Sequence, residues 1–254
     1  MKNKPFEIRQ VCGVRTLELT LYGEIEGDYY DWWSGEKVES TTSARYVQNA
    51  VAAADDFDRV NVYINSIGGS VSEGVAIHNI LKRCGKPVNV YIDAFAYSVA
   101  SVIAMAGDKV FMPSNATMMI HNAMMGCFGN SSELRKAADD LDVINEASCN
   151  SYLTKSSKIT KEQLQAMLDA ETFLTADTAF AYGLCDEIIN PVNLADSAEI
   201  AEQALRCKNP AAKQAAERIR QAAKQPTPQQ PDPQQQEPDV FDWLRDAVDH
   251  HHYF

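Results

Sequence analysis

Between Val60 and Met112 the chain alternates short apolar runs with helical stretches, and this alternation limits its fold more than any other feature. Val60, Val62 and Ile64 share one face of a strand. The run closes in Asn65-Ser66-Ile67-Gly68-Gly69, which reads as a turn. Val71 to Arg83 follows as a helix with Val75, Ile80 and Leu81 among its apolar positions, and Cys84-Gly85-Lys86-Pro87 stops it. Val88 to Ile92 reads as a second strand, Ala96 to Ala106 as an apolar helix ending at Gly107, Lys109 to Met112 as a third strand and Thr117 to His121 as a fourth. Strands alternating with helices in one chain predict parallel βαβ units with right-handed crossovers, hence the α/β class.

The flanks extend this pattern. Leu17, Leu19 and Leu21 alternate with Glu18 and Thr20, so Thr16 to Ile25 is a half-buried strand. Thr41, Thr42 and Ser43 offer N-caps for a helix reaching about Ala54. Past the fourth strand come helices over Ser132–Lys155, Lys161–Leu168 (capped by Thr160) and Thr175–Tyr182 (ended by Gly183). Beyond Pro191 the character changes. The chain divides into a folded unit over 1–192, an Ala-, Glu-, Gln- and Lys-rich helical extension over 193–224, a Gln/Pro-rich linker over 225–238, and a terminal segment over 239–254. In the last of these, Val240, Phe241, Leu244 and Val248 fall on one helical face.

A formal net charge of −12 gives the chain no electrostatic reason to seek nucleic acid or an anionic membrane. No run of about 18 apolar residues occurs, so no bilayer-spanning helix is expected. The opening Met1-Lys2-Asn3-Lys4-Pro5-Phe6-Glu7 lacks the apolar run of a signal peptide. Cys12, Cys84, Cys127, Cys149, Cys185 and Cys207 are scattered and form no CxxC pair, which fits reduced thiols in a cytoplasm. There are no close Cys/His pairs of the kind a zinc site wants in the globular part, and no ATP-binding motif; no metal or cofactor is expected.

Five histidines narrow the acid/base chemistry. His250, His251 and His252 lie at the C-terminus, which leaves His78 and His121 in the globular part. His78 falls mid-helix and reads as a packing residue. Ser98 sits where a strand gives way to a helix, on a tight turn beside helix N-terminal N–H groups that favour developing negative charge. Ser101, one turn deeper, reads as a residue that packs or bonds a backbone carbonyl. Gly68-Gly69, after a strand and before a helix, permits unusual backbone angles and close approach of another chain.

Taken in order, Ile64-Asn65-Ser66-x-Gly68-Gly69, Ala96-x-Ser98, Met119-Ile120-His121-Asn122, Phe173-Leu174-Thr175 and Tyr182-Gly183-Leu184 resemble the ClpP family of serine peptidases over about residues 16–190. The run Ala100 to Asp108 looks like the ClpP-related head-maturation (prohead) proteases of tailed bacteriophages in particular, as does the extended tail. The resemblance implies the ClpP/crotonase-like fold of repeated β-β-α spiral units, here with a helical and partly disordered C-terminal extension. It implies Ser98 as nucleophile, His121 as general base, and the N–H groups of Gly69 and Val99 as oxyanion hole. Glu171, two residues before the Phe-Leu pair, stands in the place of the acidic triad member, with Asp169 as the fallback. Peptide substrates are expected to add as a strand beside Gly68 and Gly69. Ile67, Ala94 and Tyr97 depart from the family's usual Pro, Gly and small residue, and the Tyr97 ring is expected to narrow access beside Ser98.

The implied activity is a serine endopeptidase working through an acyl-enzyme, processing capsid or scaffold proteins during phage head maturation. The implied setting is the cytoplasm of a bacterial host or the interior of the prohead. A ring-shaped homo-oligomer is expected, with contacts from the helix over 132–155, and the tail is expected to reach capsid, scaffold or portal proteins. The competing readings are a housekeeping ClpP-type peptidase working with an unfoldase ATPase, and a crotonase-like enzyme acting on acyl-CoA.

Overall fold

The computed structural model describes residues 7–11, 13–54 and 56–189. The helical extension, the Gln/Pro linker and the terminal segment expected from 193 onward lie outside the described residues, as do Cys12, Cys207 and the three C-terminal histidines.

The strands that matter for the site are β2 (Val14–Ile25), β5 (Arg59–Gly69), β6 (Val88–Tyr97) and β7 (Lys109–Pro113), parallel neighbours in one sheet. An edge strand, β1 (Glu7–Val11), lies antiparallel to β2, and β10 (Glu187–Ile189) lies parallel to β7. Side chains alternate strictly across this sheet. Leu17, Leu19 and Leu21 of β2, Val60, Val62 and Ile64 of β5, and Val90 and Ile92 of β6 are fully buried on one face. Each contributes roughly 1.5–3 kcal/mol by leaving water.

Helices α1 (Ala44–Ala53), α2 (Val71–Lys82) and α3 (Val99–Ala104) contribute buried side chains to the same core. Of the three N-cap candidates before α1, Ser43 takes the role, its Oγ accepting from the Tyr46 N–H at 3.1 Å. Gly74, in the interior of α2, leaves no room for a Cβ against the Val99 side chain. That glycine lets α2 close onto the start of α3. His78 is buried in α2, as a packing residue should be.

The opposite face of the sheet carries half-buried aromatics. Tyr63, Tyr91 and Phe111 form a stacked row with ring centroids 5.2 and 4.8 Å apart. Parallel sheets are normally covered on both faces, so such a row is unusual in one chain taken alone.

Between β2 and α1 the chain makes a short hairpin of β3 (Tyr29–Tyr30) and β4 (Lys37–Val38), with Trp32 and Trp33 exposed at its tip. Asp28 ties its base down by ion pairs to Lys37 and Arg45.

After β7, β8 (Thr117–Ile120) pairs parallel with the end of β6 and antiparallel with β9 (Thr172–Thr175). Between them run α4 (Ser131–Lys155), with an Asn130/Glu133 capping box, and α5 (Lys161–Asp169), capped by Thr160. α6 (Ala176–Ala181) follows, capped by Thr175. Only Cys149 and Tyr152 of α4 are buried, and Leu134 and Val143 are exposed. Most of that helix therefore does not pack on its own core.

Two expectations need correction. Residues 65–69 do not form a free turn: β5 runs through Gly69, with Gly68 and Gly69 paired to Glu24 and Ile25 of β2. The helix expected over Ala96–Ala106 is shorter. Ala96 and Tyr97 are held in β6 by pairing with Met118 and Met119 of β8, and α3 begins at Val99.

Candidate active site

Ser98 is the elbow between β6 and α3. Its backbone takes φ 53°, ψ −131°, a conformation L-residues avoid at a cost of order 1–3 kcal/mol. Three things hold it there. The Ser98 N–H donates to the Met119 carbonyl at 2.8 Å. Its own carbonyl accepts from the Ser101 N–H at 3.0 Å and the Ser101 hydroxyl at 2.5 Å. The third is Gly68, packed so tightly that a Cβ there would lie 2.6 Å from Ser98 Cβ and 3.1 Å from its Oγ. Ser101 thus does what its position suggested, bonding a backbone carbonyl.

β8 delivers His121 to the same point. His121 Nε2 and Ser98 Oγ are 2.7 Å apart, a hydrogen bond between a hydroxyl and a potential base 23 residues away. Such a pair can pass the hydroxyl proton to the imidazole as the oxygen attacks an electrophile.

The glycine pair borders the site, with Gly68 against Ser98. Gly68 (φ 96°) and Gly69 (φ 147°) are both in the region that favours glycine. The Gly68 N–H is spent on Ser66 Oγ at 3.0 Å, which leaves Gly69 as the donor of interest. The ladder of β5 with β6 ends at Ser66–Ala96, so residues 67–69 keep an open edge on the side of Ser98. The Val99 N–H is at the first helical position, where no intrahelical acceptor exists.

The carboxylates sort by register. β8 and β9 pair Met119 with Phe173 and Ile120 with Thr172, so extending the ladder by one sets Glu171 opposite His121. Ser98 and Glu171 (φ 48°) are the two non-glycine residues with positive φ among the described residues. Glu171 is exposed, and among the described residues the His121 ring is hydrogen-bonded to Ser98 but to no carboxylate. Asp169 is engaged elsewhere: it accepts from Gln165 at 2.9 Å and from Asn122 at 2.7 Å. Those bonds, Gln165 first, hold its carboxyl below the usual carboxylate range.

Tyr97, the residue before Ser98, is anchored by three neighbours. Its ring stacks on Phe95 (4.8 Å between centroids), meets Phe173 edge-on (5.4 Å), and its hydroxyl bonds Thr117 Oγ1 at 2.8 Å. Alternation along β6 turns Tyr97 to the face opposite the buried Ala96, where these partners hold it.

Comparison with known proteins adds an independent line. The sequence model of the Clp protease family matches residues 33–192. An ATP-dependent Clp protease proteolytic subunit from Ligilactobacillus salivarius (strain UCC118) is 32% identical over 172 residues, covering 66% of this chain and 87% of that protein. A solved structure of a ClpP1 mutant from Listeria monocytogenes superposes with a TM-score of 0.56 at 23% identity, covering 68% of this chain and 91% of that one, which is a likeness of fold.

Proposed function

The chain belongs to the Clp protease family, and from that premise we propose that it is a serine endopeptidase with Ser98 as nucleophile and His121 as base. The observation that carries the proposal is the 2.7 Å bond between His121 Nε2 and Ser98 Oγ at a strained strand-to-helix elbow. Ser98 Oγ attacks the scissile carbonyl while its proton passes to His121 Nε2. The carbonyl oxygen, now negative, takes hydrogen bonds from the Gly69 and Val99 N–H groups. His121 then protonates the departing amine, leaving an acyl-enzyme on Ser98. Water, deprotonated by His121, releases the acid and restores the serine. The substrate lies as a strand along the open edge of residues 67–69. A crotonase-like enzyme would need the same oxyanion hole but not the Ser98–His121 bond.

Glu171 completes the triad in this proposal, supported by its register opposite His121 and its positive φ. Hydrolysis of labelled, unfolded casein tests both points. The protein should release peptides, and Glu171→Gln should slow kcat by about 10–100-fold, less than the ~10⁴-fold seen where such an acid is already bonded to its histidine. Unchanged kcat in Glu171→Gln with a loss in Asp169→Asn would move the role to Asp169. A protein that releases no peptides contradicts the reading as a whole.

The finer role we propose is processing of capsid or scaffold proteins during phage head maturation. It is supported by the Ala100–Asp108 run and by the apolar positions of 239–254 beyond a Gln/Pro linker. Those apolar positions would suit docking in a groove on a capsid or scaffold protein. A ring-shaped homo-oligomer is supported by the open aromatic sheet face and by exposed Leu134 and Val143 on α4. Deleting 239–254 should leave casein cleavage and an oligomeric mass by light scattering unchanged, and should reduce incorporation into proheads. Equal incorporation removes the tether, and a monomeric mass at micromolar concentration removes the ring. The second reading, a housekeeping subunit serving an unfoldase, is favoured by the 32% identity to an ATP-dependent proteolytic subunit.

A further inference from the structure

Behind the nucleophile lies a polar chain that the mechanism above does not use. Tyr152, on α4, is 1% exposed, and Ser101, on α3, is 0% exposed. Tyr152 OH and Ser101 Oγ are 2.7 Å apart, and Ser101 Oγ lies 2.5 Å from the Ser98 carbonyl oxygen. A carbonyl cannot donate, so the single hydroxyl proton of Ser101 goes to Ser98 O, and Tyr152 must be the donor to Ser101. The direction of the chain is therefore fixed: Tyr152 O–H to Ser101 O–H to Ser98 C=O. Burial pushes the Tyr152 phenol well above its ordinary range, so it stays protonated and keeps donating.

We infer that Tyr152 and Ser101 are positioning residues that aim the Val99 N–H into the oxyanion hole. The inference rests on the reading of Ser98 as nucleophile. The peptide unit from Ser98 to Val99 is planar and trans, so its C=O and N–H point in opposite directions. Anchoring the carbonyl inward, toward Ser101 and Tyr152, turns the N–H outward, to the side of Ser98 Oγ. The residue carrying this carbonyl sits at φ 53°, where the backbone would otherwise relax. Hydrogen bonds accepted by the carbonyl also polarise the unit and strengthen its N–H as a donor. The Ser101 N–H bond at 3.0 Å remains when the hydroxyl is lost, so the chain tunes the donor and does not create it.

The test is steady-state hydrolysis of labelled casein by the full chain and by Tyr152→Phe, Ser101→Ala and the double variant. Removing one oxyanion donor outright costs about 10²–10³-fold, so misaiming one should lower kcat by about 5–30-fold in Tyr152→Phe and about 10–100-fold in Ser101→Ala, with KM within about twofold. Because both act through one carbonyl, the double variant should be no slower than Ser101→Ala. A merely structural pair would lower the unfolding temperature without this kcat-against-KM split. The inference is overturned by wild-type kcat in both single variants, by effects that multiply in the double variant, or by a change confined to KM. Should Ser101→Ala fail to fold, Tyr152→Phe, which keeps the ring, still decides. Ser98→Ala separates the two levels: if it still turns over casein, the catalytic reading itself has failed; if it is inactive, the Tyr152 and Ser101 results bear on positioning alone.

Discussion

Replacing Ser98 by alanine is expected to reduce peptide hydrolysis by about 10⁴-fold or more while leaving the fold in place. The loss follows from the proposed chemistry, in which the Oγ that His121 Nε2 bonds is the group that attacks. The survival of the fold follows from the bonds that hold residue 98. Its N–H still donates to Met119 and its carbonyl still accepts from Ser101, since neither involves the side chain. Thermal unfolding should therefore shift by only a few degrees, the size expected for a loss of about 1 kcal/mol or less. Ser101→Ala is the contrast. It removes a buried hydroxyl between two partners, so it should cost more stability and far less turnover. If Ser98→Ala stays active and Ser101→Ala does not, the nucleophile is Ser101.

Gly68→Ala should be nearly as damaging to activity, by about 10²–10³-fold, although it removes no reacting group. A Cβ at 68 would sit 2.6 Å from Ser98 Cβ and 2.8 Å from the Tyr97 carbonyl. Relieving either contact shifts residue 97 or 98, and a shift of about 1 Å in a reacting group costs about 10²-fold. The φ of 96° adds strain of order 1–3 kcal/mol for any residue with a Cβ. The measurement is kcat on casein beside an unfolding curve. Turnover near that of the parent in Gly68→Ala would show that this contact does not set the position of Ser98.

Much of this was legible in the sequence. The succession of short apolar runs and helical stretches predicted parallel strands, and β5 and β6 are parallel neighbours. Ser98, His121 and the glycine pair were visible through the order of their motifs. What was hidden depends on partners distant in sequence. Ala96 and Tyr97 look helical among small apolar neighbours, and only the ladder to β8 makes them strand. β9 is four residues between two helices, and pairing with β8 alone defines it. Gly68 and Gly69 look like a turn because glycine marks turns, but here the missing Cβ serves pairing with β2 and contact with Ser98. Tyr152 carried no signal, since its partner Ser101 lies 51 residues away. The acid proposed for the triad was the least legible, since Glu171 and Asp169 lie two residues apart and composition does not distinguish them.

The most direct test of the central claim is covalent labelling with an alkyl fluorophosphonate, followed by peptide mapping. The account predicts one adduct, on Ser98, formed much more slowly in His121→Ala and absent in Ser98→Ala. An adduct on any other serine, or peptide hydrolysis that proceeds while Ser98 stays unlabelled, would contradict it.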